Sequence, residues 1–328
     1  MWGRFEKSLS LYLVIKVIYD LERRDHVKKQ NRKFVVISLV PALLCFVFLF
    51  VYPAIRTLIQ SFYSMKQLSD PVSRWTFAGI ENYIELFDTP IFMTSLINIS
   101  KIWIIGGLIT ILLALMFAVI LTSGVKGKKF FRSLIYLPNV ISSVAMVNMW
   151  SLYIYNNKYG LLTSLFTKLG IERLASINWT DSGHMFGSML VAYCFGYIGY
   201  LMLILMAGIE NIPNELYESA TIDGANGWIR FRYITLPLIR EVFRTCLMFW
   251  TISTIGFFVW SQLWSVSSDL ALLTPMLYMY NLTFNTSTTG IASKNIGVGC
   301  AICVVMMIFV MISYVIFNVI LKERKYEY

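Results

Sequence analysis

Residues Asn214–Pro237 read NELYESATIDGANGWIRFRYITLP. The stretch is polar and short, and it is set between two long apolar runs, Met185–Ile209 and Thr245–Ser268. Pro213, just before it, suits the first turn of a helix, where its missing N–H costs nothing. Glu215 and Glu218 then lie near the positive end of the helix dipole. Ser219 and Ala220 form a small-residue surface that another backbone can approach closely. Gly224 is the natural stop, because a left-handed residue ends a helix there without steric cost. A second short helix carries Arg230 and Arg232, and Pro237 starts the following apolar helix. The expected product is a compact two-helix knob suited to a cleft in a soluble partner.

The apolar runs decide the rest of the fold. A bilayer core needs ~20 apolar residues as a helix. Six runs without Asp or Glu meet that length: Phe34–Ile55, Ile102–Thr122, Ser133–Asn156, Met185–Ile209, Thr245–Ser268 and Asn295–Leu321. The second can start earlier, near Thr94, and would then carry Lys101. With 57% hydrophobic and 14% charged residues, the chain is far from the roughly 25% charged of a soluble domain. The expected fold class is all-α, a polytopic membrane protein with six transmembrane helices. Residues 1–33 form an N-terminal segment and 34–325 the transmembrane unit, with its polar loop at 210–240. Leu9–Tyr19 is apolar but short and broken by Lys16. It reads as an amphipathic helix on the membrane surface, with a seventh span as the alternative. The segment 157–184 reads as a short helix lying over the membrane. No small-residue cleavage site follows Leu9–Tyr19, so no signal peptide is expected.

Charge sets the orientation. Residues 1–33 hold nine Lys and Arg, 123–132 four, 210–244 four and the tail after Leu321 three, which makes twenty on one side. The segments 56–101, 157–184 and 269–294 hold eight. The side with twenty is cytoplasmic, so both termini and the polar loop face inward across the cytoplasmic membrane. The net charge of +10 follows from this bias and needs no nucleic acid. The five cysteines, Cys45, Cys194, Cys246, Cys300 and Cys303, all fall in apolar runs, with no disulfide framework or metal spacing. Pro41 and Pro138 lie inside spans, where a cavity or a neighbour must satisfy the freed carbonyl. A kink at Pro138 would open space near the midplane.

The polar stretch also has a spacing. Glu218, Ser219 and Ala220 are followed by three residues, then Gly224, then nine residues, then Ile234, Leu236 and Pro237. This resembles the E-A-A loop of importer-type ABC permeases, with Ser219 in place of the first alanine. Phe77–Tyr83 (FAGIENY), Phe130–Pro138 (FFRSLIYLP), Tyr159–Leu162 (YGLL) and Ile212–Glu218 (IPNELYE) resemble further segments of the carbohydrate-uptake permeases. The chain is similar to their maltose-permease-F and glycerol-phosphate-permease-A type over about residues 35–325. The resemblance implies a type I ABC importer permease fold with a cytoplasmic coupling helix. It implies a second homologous permease, two ATPase subunits and an extracellular solute-binding protein, with ATP and Mg on the ATPase and no cofactor on this chain. The coupling residues it points to are Glu218, Ser219, Ala220, Asp223, Gly224 and Arg230.

No phosphate-binding G-x-x-x-x-G-K-[ST] loop occurs in the chain, in line with ATP on another subunit. The spans lack the carboxylates that proton-coupled secondary transporters carry, and that class is the alternative function. A membrane enzyme would need a nucleophile–base pair or metal ligands. The two histidines, His26 and His184, lie at membrane edges, so no catalytic or metal residues are assigned. A neutral polar solute would be held by aromatic faces with scattered hydroxyls and amides. The fourth and fifth spans carry Tyr193, Phe195, Tyr197 and Tyr200, then Ser253, Phe257, Trp260 and Gln262, with Gly196 and Gly199 between. Phe195, Gly196, Ser253, Phe257 and Trp260 are the substrate-path candidates; helix packing and lipid contact are the alternative use of each.

Overall fold

Pro90–Thr122 shows how the spans assemble. Proline opens this helix at its first turn, where the lost N–H has no partner to lose. The helix then continues through a π-helical segment, Ile102–Gly106, to Thr122. Its 33 residues are longer than a bilayer core requires. The polar residues before Ile102 turn into the protein, and the helix starts at Pro90, four residues before the expected Thr94. Ser95 and Asn98 are buried, and the Asn98 amide donates to the carbonyls of Leu270 and Leu273, both at 3.0 Å. Lys101 is therefore interior to the helix, with its ammonium 5.8 Å from the centre of the Phe186 ring.

The structure, a computed structural model, describes residues 29–65, 70–264, 270–284 and 295–321. The expected surface helix Leu9–Tyr19 and the basic tail after Leu321 lie outside them. In chain order the helices are α1 (Lys29–Phe46), α2 (Tyr52–Gln60), α3 (Glu81–Asp88), α4 (Pro90–Lys101), α5 (Gly107–Thr122), α6 (Lys128–Val140), α7 (Ser143–Asn148), α8 (Leu161–Lys168), α9 (Glu172–Ala175), α10 (Met185–Glu210), α11 (Asn214–Ile222), α12 (Gly227–Arg230), α13 (Leu236–Leu238), α14 (Arg240–Ile255), α15 (Val259–Trp264), α16 (Pro275–Phe284) and α17 (Ile296–Ile320). One antiparallel pair of two-residue strands, Tyr63–Ser64 (β1) with Thr76–Phe77 (β2), joins α2 to α3.

Four of these stretches are long and apolar enough to cross a membrane: Ser38–Gln60, Pro90–Thr122, Met185–Glu210 and Ile296–Ile320. The expected third span, Ser133–Asn156, is not one rod. Lys128–Val140 and Ser143–Ile154 meet at 96° and make a fifth span if taken together. The cause is local. Pro138 withholds a helix donor, Ile141 turns extended (φ −73°, ψ 135°), and Ser142 Oγ accepts from Ala145 N at 3.3 Å to start the next helix. The expected fifth run, Thr245–Ser268, is corrected too. Its helix begins at Arg240, stops at Ile255 and resumes over Val259–Trp264. Gly256 weakens the helix there, and the Thr274 hydroxyl donates to the freed Phe257 carbonyl at 2.7 Å. Pro237 accordingly lies in the three-residue α13 rather than opening the span. The segment 157–184 holds two short helices, α8 and α9, and a further helix, α16, occupies part of 269–294.

Small residues bring the central helices together, as in membrane interiors generally. The buried face of α5 is Gly107, Thr110, Ile111, Ala114, Leu115, Ala118 and Leu121, spaced three and four apart. It packs on α10. Trp250 of α14 seats against Gly106 and Gly107 and donates its indole N–H to the Trp103 carbonyl at 2.9 Å. Trp103 in turn donates to the Thr251 hydroxyl at 2.9 Å. At the loop before α10, the Asp181 carboxylate accepts from His184 N at 3.1 Å and meets its Nδ1 at 2.9 Å. That side-chain contact holds the Asp181 pKa below the ordinary carboxylate value.

Candidate functional site

Two places in the molecule concentrate the residues singled out above. The first is a cavity of about 230 Å³ where the helix breaks converge. The end of α6 contributes Pro138 and Asn139, the middle of α10 contributes Tyr193, Gly196 and Tyr197, and the last turn of α14, the break after it and the start of α15 contribute Ser253, Phe257 and Trp260 in turn. Tyr193 is its central side chain. Its ring meets Phe257 edge-on at 4.7 Å and Trp260 at 5.5 Å, and stacks on Tyr197 at 5.9 Å. Its hydroxyl shares a 2.6 Å hydrogen bond with Ser253 Oγ. Asn139 Nδ2 donates to the Gly196 carbonyl at 3.4 Å. Among the described residues, no Asp, Glu, Lys, Arg or His lines the cavity. Such a lining can take a neutral hydroxylated molecule, with aromatic faces for its apolar side and a few hydroxyl and amide groups to orient it.

Of the five substrate-path candidates, Gly196, Ser253, Phe257 and Trp260 line this cavity. Phe195 does not. It is 44% exposed and packs edge-on against Trp150 at 5.4 Å. Tyr193 and Tyr197, named among the aromatic residues of the fourth span, were left out of the five, and Asn139 was not named. Their signal in the sequence was the three- and four-residue spacing of tyrosines beside Gly196, and an amide directly after Pro138.

The second place is the knob. Helix α11 runs over Asn214–Ile222 with Pro213 as its N-cap, one position earlier than the first turn. Asp223 is its C-cap, and Gly224 follows at φ +78°. Gly224 N donates to the Thr221 carbonyl at 3.1 Å and Ala225 N to the Ala220 carbonyl at 2.8 Å. This pair of bonds closes a helix end through a left-handed residue. Asn226 Oδ1 then accepts from Ile229 N at 2.9 Å to start α12. Arg230 Nη1 donates to Thr221 Oγ1 at 3.2 Å, tying the two helices together. Tyr217 Oη and Thr235 Oγ1, 2.9 Å apart, tie α11 to the segment Phe231–Thr235.

Glu218, Ser219 and Asp223 are exposed, and Ala220 and Arg230 are half-buried. The Ser219 hydroxyl turns back onto the Leu216 carbonyl of its own helix at 3.2 Å. Large apolar side chains crown the knob: Ile222 is 87%, Trp228 70% and Tyr233 74% exposed. Isolated exposed apolar residues are ordinary; here three stand on one small element. The continuous helix α10 runs from the cavity to the knob. At its last residue, Glu210 pairs with Lys128 at 2.5 Å across the turn before α6. Among the described residues, no group of His, Cys, Asp or Glu could hold a metal ion.

Residues 106–325 match the family described as the binding-protein-dependent transport system inner membrane component. The arabinooligosaccharides transport system permease protein AraP of Bacillus subtilis is 32% identical, covering 83% of this chain and 83% of that protein. The diacetylchitobiose uptake system permease protein NgcF of Streptomyces coelicolor is 26% identical, covering 74% of this chain and 71% of that protein. The crystal structure of a bacterial alginate ABC transporter, in complex with an alginate pentasaccharide-bound periplasmic protein, shares the fold. Its TM-score is 0.73 at 16% identity, over 89% of this chain and 95% of that chain. The chain belongs to the family of binding-protein-dependent transport system inner membrane components, the membrane-spanning permeases of ABC transporters.

Proposed function

We propose that this chain is one of two permease subunits of an ATP-driven importer that moves a sugar, or a related neutral solute, across the cytoplasmic membrane. An external binding protein delivers the solute. Two ATPase subunits, which hold ATP and Mg, drive the cycle, and a second homologous permease completes the path. The observation that carries this reading is one continuous helix, α10, which reaches from an aromatic, uncharged cavity to an exposed apolar knob. Motion imposed on the knob has a rigid route to the cavity. The relatives named for arabinooligosaccharides and diacetylchitobiose support saccharide as the solute class. Six spans with both termini inside account for the excess of Lys and Arg on one side, with the broken helices around the cavity as two of the six.

The orientation has its own test. Reporters fused after Arg132 or Gly227 are expected to read cytoplasmic, and reporters after Asp70, Lys168 or Asn285 external. An external signal after Arg132 overturns the topology.

For function, the complex is reconstituted in proteoliposomes with ATP inside and no ion gradient. Saccharide uptake that needs both ATP and the loaded binding protein is expected. Trp260→Ala and Phe257→Ala are expected to lower uptake at least tenfold while the ATPase still co-purifies, because each removes an aromatic wall of the cavity. Uptake driven by a proton gradient without ATP would instead favour a secondary transporter. Normal uptake in both variants would move the solute path elsewhere.

A further inference from the structure

Six buried side-chain polar atoms among the described residues have no hydrogen-bond partner, and four of them surround one side chain, Tyr155. They are the indole nitrogens of Trp150, Trp179 and Trp264 and the hydroxyl of Ser188. The three indole rings pack on the Tyr155 ring with centres at 5.3, 6.2 and 6.0 Å. The Tyr155 hydroxyl donates to the Ser188 carbonyl at 3.3 Å. Tyr155, Ser188 and Trp264 are 3%, 5% and 4% exposed. An indole N–H can only donate, and a buried donor without an acceptor is rare and unfavourable. Three of them around one ring call for acceptor oxygens that this cluster of aromatic side chains does not supply.

The cluster adjoins the cavity. Trp150 lies four residues beyond Met146, and Trp264 four beyond Trp260, both of which line the cavity. Ser188 lies five residues before Tyr193 on α10. Each step is about one helical turn, ~6 Å, and all three run in the same direction, toward the external side in the proposed topology. The cluster is built from separate segments. Trp150 sits in the π-helical stretch Met149–Ile154, Trp179 in the loop after α9, and Trp264 at the end of α15. These segments are joined to the rest through helix breaks, so parting them exposes facing aromatic rings with N–H groups between.

We propose that Trp150, Tyr155, Trp179, Trp264 and Ser188 form an outer saccharide subsite in line with the cavity, closed in this conformation. Aromatic faces take the apolar side of a sugar ring, and the indole donors and the serine take its hydroxyl oxygens. Two aligned subsites about one ring apart select a solute of at least two sugar units over a monosaccharide. This rests on the importer reading above.

The test uses the full complex with its partner permease, ATPases and binding protein in proteoliposomes. The probes are glucose, arabinose and N-acetylglucosamine and their linear oligomers up to about five units, a length set by the two subsites with margin. An oligomer, and not its monomer, is expected to be taken up. Trp264→Phe and Trp179→Phe keep the ring and remove only the donor. At saturating loaded binding protein, each is expected to lower oligomer molecules imported per ATP by roughly two- to tenfold, the range of one hydrogen bond. The melting temperature without saccharide is expected to hold or rise, since an unmatched buried donor has gone. An unchanged import stoichiometry in both variants means that water alone serves the indoles and overturns the subsite. Equal import of monomer and oligomer also overturns it. Import of none of these saccharides overturns the subsite, while ATP hydrolysis stimulated by the binding protein, read in parallel, decides the importer reading separately.

Discussion

Replacing Gly224 with aspartate is expected to abolish binding-protein-stimulated ATP hydrolysis while the chain still inserts at its normal level. Gly224 holds φ +78°, a region that costs a residue with a Cβ ~1 kcal/mol or more. Nothing within 4 Å would meet the new side chain. The knob therefore keeps its fold at a modest cost, and the damage falls on whatever docks there, through added bulk and charge beside the exposed Ile222. A built-in control separates strain from docking. Gly170, in the loop between α8 and α9, also has a positive φ, +70°, with nothing within 4 Å. Gly170→Asp carries the same backbone cost outside the knob and is expected to leave stimulated hydrolysis near the parent level. Pull-down of the ATPase and hydrolysis assays on both variants decide the matter. Full association and stimulation in Gly224→Asp would remove the knob from coupling, and the importer reading would lose its motor contact.

The second large effect is expected at Gly199. A Cβ there would stand 2.3 Å from the Ile135 carbonyl oxygen and 2.7 Å from Tyr136 Cα. Both are backbone atoms of α6, so the neighbour cannot swing aside, and α6 must part from α10. Overpacking costs about 1–3 kcal/mol, and an unyielding backbone neighbour puts this site at the upper end, enough to deplete the folded chain. Gly199→Ala is expected to lower membrane accumulation severalfold and to broaden thermal unfolding in detergent. Gly196, one turn away, is the contrast. Its Cβ would find only Met146 Cε, at 3.9 Å, and would project where Gly196 lines the cavity. Gly196→Ala is expected to accumulate normally and to reduce uptake. If both variants accumulate equally, the close α6–α10 approach does not limit the fold.

These positions show what the sequence could and could not convey. Four of the six membrane runs were legible because hydrocarbon tolerates few charges; Ser133–Asn156 and Thr245–Ser268 are as free of charge and yet break. Pro90–Lys101 was only partly legible as helix. Asn98 and Ser95 look unsuited to lipid, and only the fold reveals that they face protein, with Asn98 bound to carbonyls near residue 270. The break at Gly256–Phe258 was hidden for a similar reason, since its freed carbonyl is met by Thr274, far along the chain. The knob was the most legible element. Its spacing is local, and Gly224 stops the helix by backbone geometry alone. The cavity was half legible. Helix α10 is apolar on every side, so periodicity could not tell that Tyr193 faces inward while Phe195 turns to Trp150. Which face looks into a cavity is decided by neighbours, not by the helix itself.

The closures within the knob bear on the speed of assembly. A recognition element that must order as it binds loses conformational entropy at that moment, which slows or weakens association. Here the order is already in place. The left-handed stop at Gly224, the Arg230–Thr221 bond and the Tyr217–Thr235 contact fix both short helices before any contact forms. Docked as proposed above, the knob would meet the ATPase as a rigid body, with an on-rate in the ordinary docking range of about 10⁵–10⁷ M⁻¹s⁻¹. Its association carries little temperature dependence from folding. Cutting either internal bond, as in Thr221→Val, would then show first as slower capture of the partner rather than as faster release.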